Sequence, residues 1–104
     1  MVLKVTDENY KDLLKGEKPV VLDFWAEWCN PCRTVGSIID KLSVEYDGKI
    51  VVGKVNVDEN NDMVFEYGIR SIPTLLFFKK GQITDKQVGA TGKNVIIEKI
   101  DKLL

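Results

Sequence analysis

Val20-Val21-Leu22-Asp23-Phe24-Trp25-Ala26 is a β-prone run with apolar side chains at both odd and even positions. A strand wetted on one face alternates apolar with polar residues, whereas this one reads as a parallel strand buried on both sides. It therefore marks the centre of a sheet, and something must cover each face. Directly after it, from Pro31, the period changes. Val35, Ile38, Ile39, Leu42 and Tyr46 recur at helical spacing until Asp47-Gly48 supplies a stop, so a helix packs back onto the sheet.

The remaining chain repeats this alternation. Val2 to Val5 suits an edge strand, and Thr6, Asp7 and Glu8 read as the cap and acidic first turn of a short helix carrying Tyr10, Leu13 and Leu14 and ending at Gly16. Ile50 to Val57 is again β-branched, and Met63, Val64 and Tyr67 mark a short helix closed by Gly68. Thr74 to Phe78 and Ile83 to Val88, separated by Lys79-Lys80-Gly81-Gln82, form an antiparallel hairpin. Ile96, Ile100 and Leu103 stripe a closing helix with Thr91 as its cap. The expectation is an α/β fold: a mixed central sheet of about five strands flanked by about four helices. A length of 104 residues with 44% hydrophobic content and no linker or repeat predicts one domain, 1–104.

Charge and composition narrow the function classes. A net charge of -1 with interspersed signs gives no reason to expect nucleic acid or anionic lipid as a partner. No stretch approaches the length of a membrane span, and Met1-Val2-Leu3-Lys4 lacks the features of a signal peptide, so the expected setting is a reducing cytoplasm. Nothing suggests more than a monomer. The chain has no histidine, which excludes imidazole bases and histidine metal ligands. Two cysteines alone are too few for a zinc site, so no metal is expected, and with no nucleotide-binding glycine motif no bound cofactor is expected either.

Those cysteines are Cys29 and Cys32, in Trp28-Cys29-Asn30-Pro31-Cys32 between the central strand and the long helix. Residues three apart on a first helical turn lie about 5 to 6 Å apart, within disulfide reach. So short a loop removes little unfolded-chain entropy, which makes stability a poor reason for the bond. Pro31 fits the first helical position and steers Asn30 away from helical dihedrals, leaving Cys29 at the helix N-terminus. There the positive end of the dipole favours thiolate over thiol. Cys29, at the protruding end, is the expected nucleophile, and Cys32, one turn in, the residue that resolves a mixed disulfide. This reading requires the Cys29 sulfur to be reachable from solvent and partly ionised.

Asp23 interrupts the central strand on the face of Val21 and Trp25. A buried lone carboxylate has a raised pKa, which suits a proton acceptor; equally, such an acid can be satisfied by local hydrogen bonds or lie at a strand edge. Pro73, at the start of a strand, lacks a ladder donor and needs a positional reason. Base rates alone favour a trans bond before it.

Asp23-Phe24-Trp25-Ala26-Glu27-Trp28-Cys29, Pro31-Cys32, Lys54-Val55-Asn56-Val57-Asp58, Tyr67-Gly68-Ile69-Arg70-Ser71-Ile72-Pro73-Thr74 and Val88-Gly89-Ala90 together resemble the thioredoxin family, nearly end to end. The resemblance implies the thioredoxin fold and reduction of disulfides in partner proteins by dithiol exchange. It implies that Asp23 accepts the Cys32 proton, with Lys54 as its charge partner. It further implies a cis Ile72-Pro73 bond beside the thiols, and a docking surface of Trp28, Asn30, Pro31, Ile72, Pro73 and Gly89. Recharging would come from a thioredoxin-type reductase that consumes NADPH, since no nucleotide-binding glycine motif occurs here.

Two positions depart from the family. Asn30 stands where glycine is usual, which bears on the redox poise. Gly36-Ser37 occupies the place of a helix-kinking proline, so the bend is either absent or permitted another way. Arg33 either adds modest thiolate stabilisation or is simply solvated. Two other functions compete: an oxidase or isomerase with shifted poise, and a binding module whose thiols are incidental.

Overall fold

The computed structural model describes all of residues 1–104. The elements run β1 (Val2–Lys4), α1 (Tyr10–Leu14), β2 (Val20–Trp25), α2 (Asn30–Glu45), β3 (Val51–Asn56), α3 (Asn61–Glu66), β4 (Thr74–Lys79), β5 (Gln82–Val88) and α4 (Lys93–Asp101). They form one mixed sheet in the order β1-β3-β2-β4-β5. The expected five strands and four helices are all present. No helix is long and apolar enough to cross a membrane.

The central position of β2 follows from its double-sided apolarity. Val21 belongs to a cluster with Val35, Ile39 and Leu42 of α2 and Ile96 and Ile100 of α4. Val20, Leu22 and Phe24 belong to the opposite cluster with Tyr10 and Met63. Side chains alternate across a strand, so odd and even residues of β2 each bury against a different helical layer. One expectation needs correcting: β2 is parallel only to β3, and its other neighbour, β4, runs antiparallel. The short β4–β5 hairpin returns the chain through the two-residue turn Lys80-Gly81, where both φ angles are positive (53° and 78°).

The helix starts differ from the sequence expectation where side chains reach across the fold. Thr6 does not cap α1: its Oγ1 accepts from the Glu8 amide in a preceding turn, and the N-cap residue is Asn9. Asp7 is not an acid of that helix either. Its carboxylate accepts the amides of Asp62 (3.2 Å) and Met63 (2.8 Å), capping α3 from 55 residues away. Asn60, buried, completes this clasp by accepting the Asp7 amide at 2.9 Å. Thr91 is not the cap of α4; Gly92 is, without a side-chain bond.

Candidate active site

The site forms where β2 ends and α2 begins. Cys29 is the N-cap of α2, with extended backbone angles, and its sulfur accepts the Cys32 amide at 3.3 Å. The two cysteines are joined as a disulfide with a Cα separation of 5.3 Å. Asn30 opens the helix and Pro31 follows it, where its missing N–H leaves no helical bond unmade. Asn30 is thus helical, contrary to the expectation that Pro31 would hold it out of the helix: the sharp turn falls one residue earlier, at Cys29. As a helix of 16 residues, α2 places the positive end of its dipole at the Cys29 sulfur, and the Cys32 amide is the first-turn donor that bonds it.

Neither sulfur protrudes. Cys29 is 4% exposed and Cys32 3%, so the expected difference in exposure is absent from the disulfide form. The bond draws the Cys29 sulfur across the helix end toward Cys32, and Ala26, Trp25, Val57 and Ile72 pack around the pair. The asymmetry between the two is positional instead. Cys29 precedes the helix and faces its unpaired amides, while Cys32 sits inside the first turn.

Asp23 lines the same cleft as Cys32. It is fully buried, and neither carboxylate oxygen has a hydrogen-bond partner. Burial, opposed by Lys54 and reinforced by Asp40, pushes its pKa up to about 7. The alternative of an acid satisfied by local hydrogen bonds does not describe this residue. Lys54 is the register partner of Asp23 on β3 and shares its face. Its ammonium, however, pairs with Asp40 of α2 at 2.8 Å, so it acts on Asp23 through space rather than as a contact partner. Nothing in the sequence marks out Asp40, which lies one turn beyond Gly36 on the helix face that meets β3. A cleft of about 270 Å³ connects these groups, lined by Asp23, Trp25, Cys32, Gly36, Asp40 and Lys54 among others.

Gly36 explains how the cleft fits beneath a continuous helix. A Cβ there would meet the Lys54 Nζ at 3.3 Å and Asp23 Oδ2 at 4.0 Å. The Arg33 guanidinium donates to the Glu27 carbonyl at 3.4 Å and is exposed.

The surface around the thiols is assembled from three loops. Trp28 is 68% exposed, and its indole Nε1 donates to Asp58 at 2.9 Å, which fixes the ring over the end of β3. Asn30 and Pro31 are exposed beside it. Ile72 is half-buried against both the thiol pair and the α1/α3 core, and the Ile72-Pro73 bond is cis. Pro73 itself is buried, which limits it to shaping the surface. Its carbonyl accepts the Gly89 amide at 2.8 Å, and Gly89 has φ 88°, a value that disfavours any side chain. Trp25 is half-buried and packs beside the thiol pair.

Comparison with known proteins places this geometry in a family. The family model described as Thioredoxin matches residues 1–102. A thioredoxin of Chlorobaculum thiosulfatiphilum is 47% identical over 100 residues, covering 95% of this chain and 93% of the relative. A thioredoxin of Synechocystis sp. is 48% identical over 102 residues, covering 97% and 95%. A chloroplastic M-type thioredoxin of Pisum sativum is 48% identical over 101 residues, covering 96% of this chain and 59% of the relative.

Proposed function

The chain belongs to the thioredoxin family and is a thiol-disulfide oxidoreductase, and from that premise we propose how its residues divide the work. In the reduced protein the Cys29 thiolate attacks one sulfur of a partner's disulfide. A Cys29–partner bond forms, the partner's own S–S bond breaks, and its second sulfur leaves as a thiolate. Cys32 then attacks the Cys29 sulfur and gives its proton to Asp23. The Cys29–Cys32 bond forms, the first partner sulfur leaves as thiolate, and two electrons have passed to the partner.

The observation that carries this reading is Cys29 at the N-cap of α2, its sulfur accepting an amide of the first turn. Unpaired amides and the dipole favour a negative sulfur at that point and not one turn further in. The low exposure of Cys29 is compatible with exchange, because attack on sulfur needs one line of approach along the S–S axis rather than broad access. Reduction also releases the sulfur from bonding distance. Trp28, Asn30, Pro31, Ile72 and Gly89 form the surface on which a partner segment lies, with Pro73 setting its shape and the exposed Trp28 as its apolar anchor. Lys54 supplies the positive charge that tempers Asp23.

Residues 1–104 act in this reading as a single domain and a monomer, in the cytoplasm, as an electron carrier. The electrons come from NADPH through a separate thioredoxin-type reductase, since two cysteines and a carboxylate cannot accept hydride themselves. The test is substrate trapping. With Cys32→Ser, covalent adducts to disulfide-containing proteins should accumulate; with Cys29→Ser, none should form. Equal trapping by both variants would contradict the assignment.

A further inference from the structure

Asp23 is fully buried and without a hydrogen-bond partner, although an ammonium stands on the neighbouring strand in register with it. A buried carboxylate with a cation so close would normally draw it in, because pairing offsets the cost of desolvation. Here the cation is engaged elsewhere. Lys54 Nζ lies 2.8 Å from Asp40 Oδ1, whose side chain is 59% exposed, while that of Lys54 is 26% exposed. The pair therefore spans the solvent side of the cleft between α2 and β3, with Asp23 on its floor.

We propose that Asp40 is a positioning residue for the resolving half of the exchange: it holds the Lys54 ammonium at the mouth of the cleft and so keeps that charge from settling on the Asp23 carboxyl. The inference rests on the reading of Asp23 as proton acceptor. A carboxylate locked to an ammonium is a poor base, whereas one left in an apolar floor binds a proton near neutral pH and can take one from Cys32. Burial is the main cause of the raised Asp23 pKa of about 7; Lys54 lowers it even from the cleft mouth, and the Asp40 charge raises it directly as well. Gly36 belongs to the same device, since its missing side chain leaves the ammonium room. The other charges on the cleft are Glu27 and Arg33, and Arg33 is turned to the Glu27 carbonyl. The β4 neighbour of Asp23 is Leu75, which brings no charge.

Asp40 could instead act by its own negative charge, and a double-mutant cycle separates the two. The Asp23 carboxyl would be titrated by carbon NMR in the oxidised protein, in wild type, Asp40→Asn, Lys54→Met and the double variant. The expected results are a fall of about 1 pH unit in the Asp23 midpoint for Asp40→Asn and a rise for Lys54→Met. With Lys54 already replaced, the Asp40→Asn shift should shrink to roughly a third or less. An equal shift in both backgrounds, or no shift in either, overturns the proposal. The pH dependence of partner release from the mixed disulfide should move acid in Asp40→Asn by the same amount as the titration. Asp23→Asn gives the separate control: if it leaves that release rate unchanged at pH 7 while the titration cycle behaves as expected, the proton-acceptor reading fails and the placement of Lys54 stands.

Discussion

At the scale of single residues, Asp23, the proposed proton acceptor, sits in its buried place at the expense of stability. Its native carboxyl holds a proton up to about pH 7, whereas the unfolded chain releases it near the ordinary value of 3.8. Between those values the native state binds more protons than the unfolded one, so stability falls as pH rises through the window and stays low above it. A shift of this size corresponds to about 4 kcal/mol at full ionisation. Asp23→Asn should therefore be more stable than wild type by a few kcal/mol at pH 8 and gain nothing from this effect at pH 4, as urea midpoints would report. A gain of equal size at both pH values would mean that ionisation is not its source. The sequence carried half of this information. A carboxylate in an otherwise apolar strand signals burial, but the distribution of charge around it depends on which side chain of α2 lies over β3. Lys54 in register with Asp23 was foreseeable from the family pattern; its engagement by Asp40 was not.

Among the elements, two buried glycines sit at close approaches and should respond to the same substitution with opposite signs. A Cβ on Gly53 in β3 would overlap Val5 Cγ2 and come within 3.2 Å of Leu22 Cδ2, both in the core. Val5 is β-branched and buried, so it cannot give way without moving the chain after β1. Gly53→Ala should cost roughly 1–3 kcal/mol by overpacking. A Cβ on Gly36 in α2 would press only on the far end of the Lys54 side chain at 3.3 Å, which can swing aside, and would meet Asp23 Oδ2 at an ordinary contact distance of 4.0 Å. Gly36→Ala should instead add about 0.5–1 kcal/mol through helix propensity. Denaturant unfolding of both variants checks the pair, and destabilisation by Gly36→Ala would show that Lys54 is held rigidly. Element identity was readable because the apolar period switches cleanly between strand runs and helix stripes. Element starts were less so, since Asp7 caps α3 rather than α1, a contact set by tertiary structure. Gly53 gave no sign of its role, because a glycine within a strand signals a close approach without naming what approaches.

For the molecule as a whole, the sheet and its two helical layers are complete without the disulfide, which closes a ring between residues only three apart. On loop closure alone such a ring contributes about 2 kcal/mol. The reduced protein should therefore remain folded, with its helical circular dichroism unchanged and only a modest fall in unfolding midpoint; collapse of the fold on reduction would assign the bond a structural role. The central claim is that the fold, by ending β2 and starting α2 at Cys29, turns an ordinary thiol into a reactive one. The rate of iodoacetamide alkylation at Cys29 in the reduced protein, followed against pH in native buffer and again in denaturant, tests it directly. The expected result is a native half-maximal pH clearly below that of an ordinary thiol and a return to the ordinary thiol value on unfolding, with Cys29 reacting ahead of Cys32. The same half-maximal pH in both states, or faster reaction at Cys32, would contradict the account.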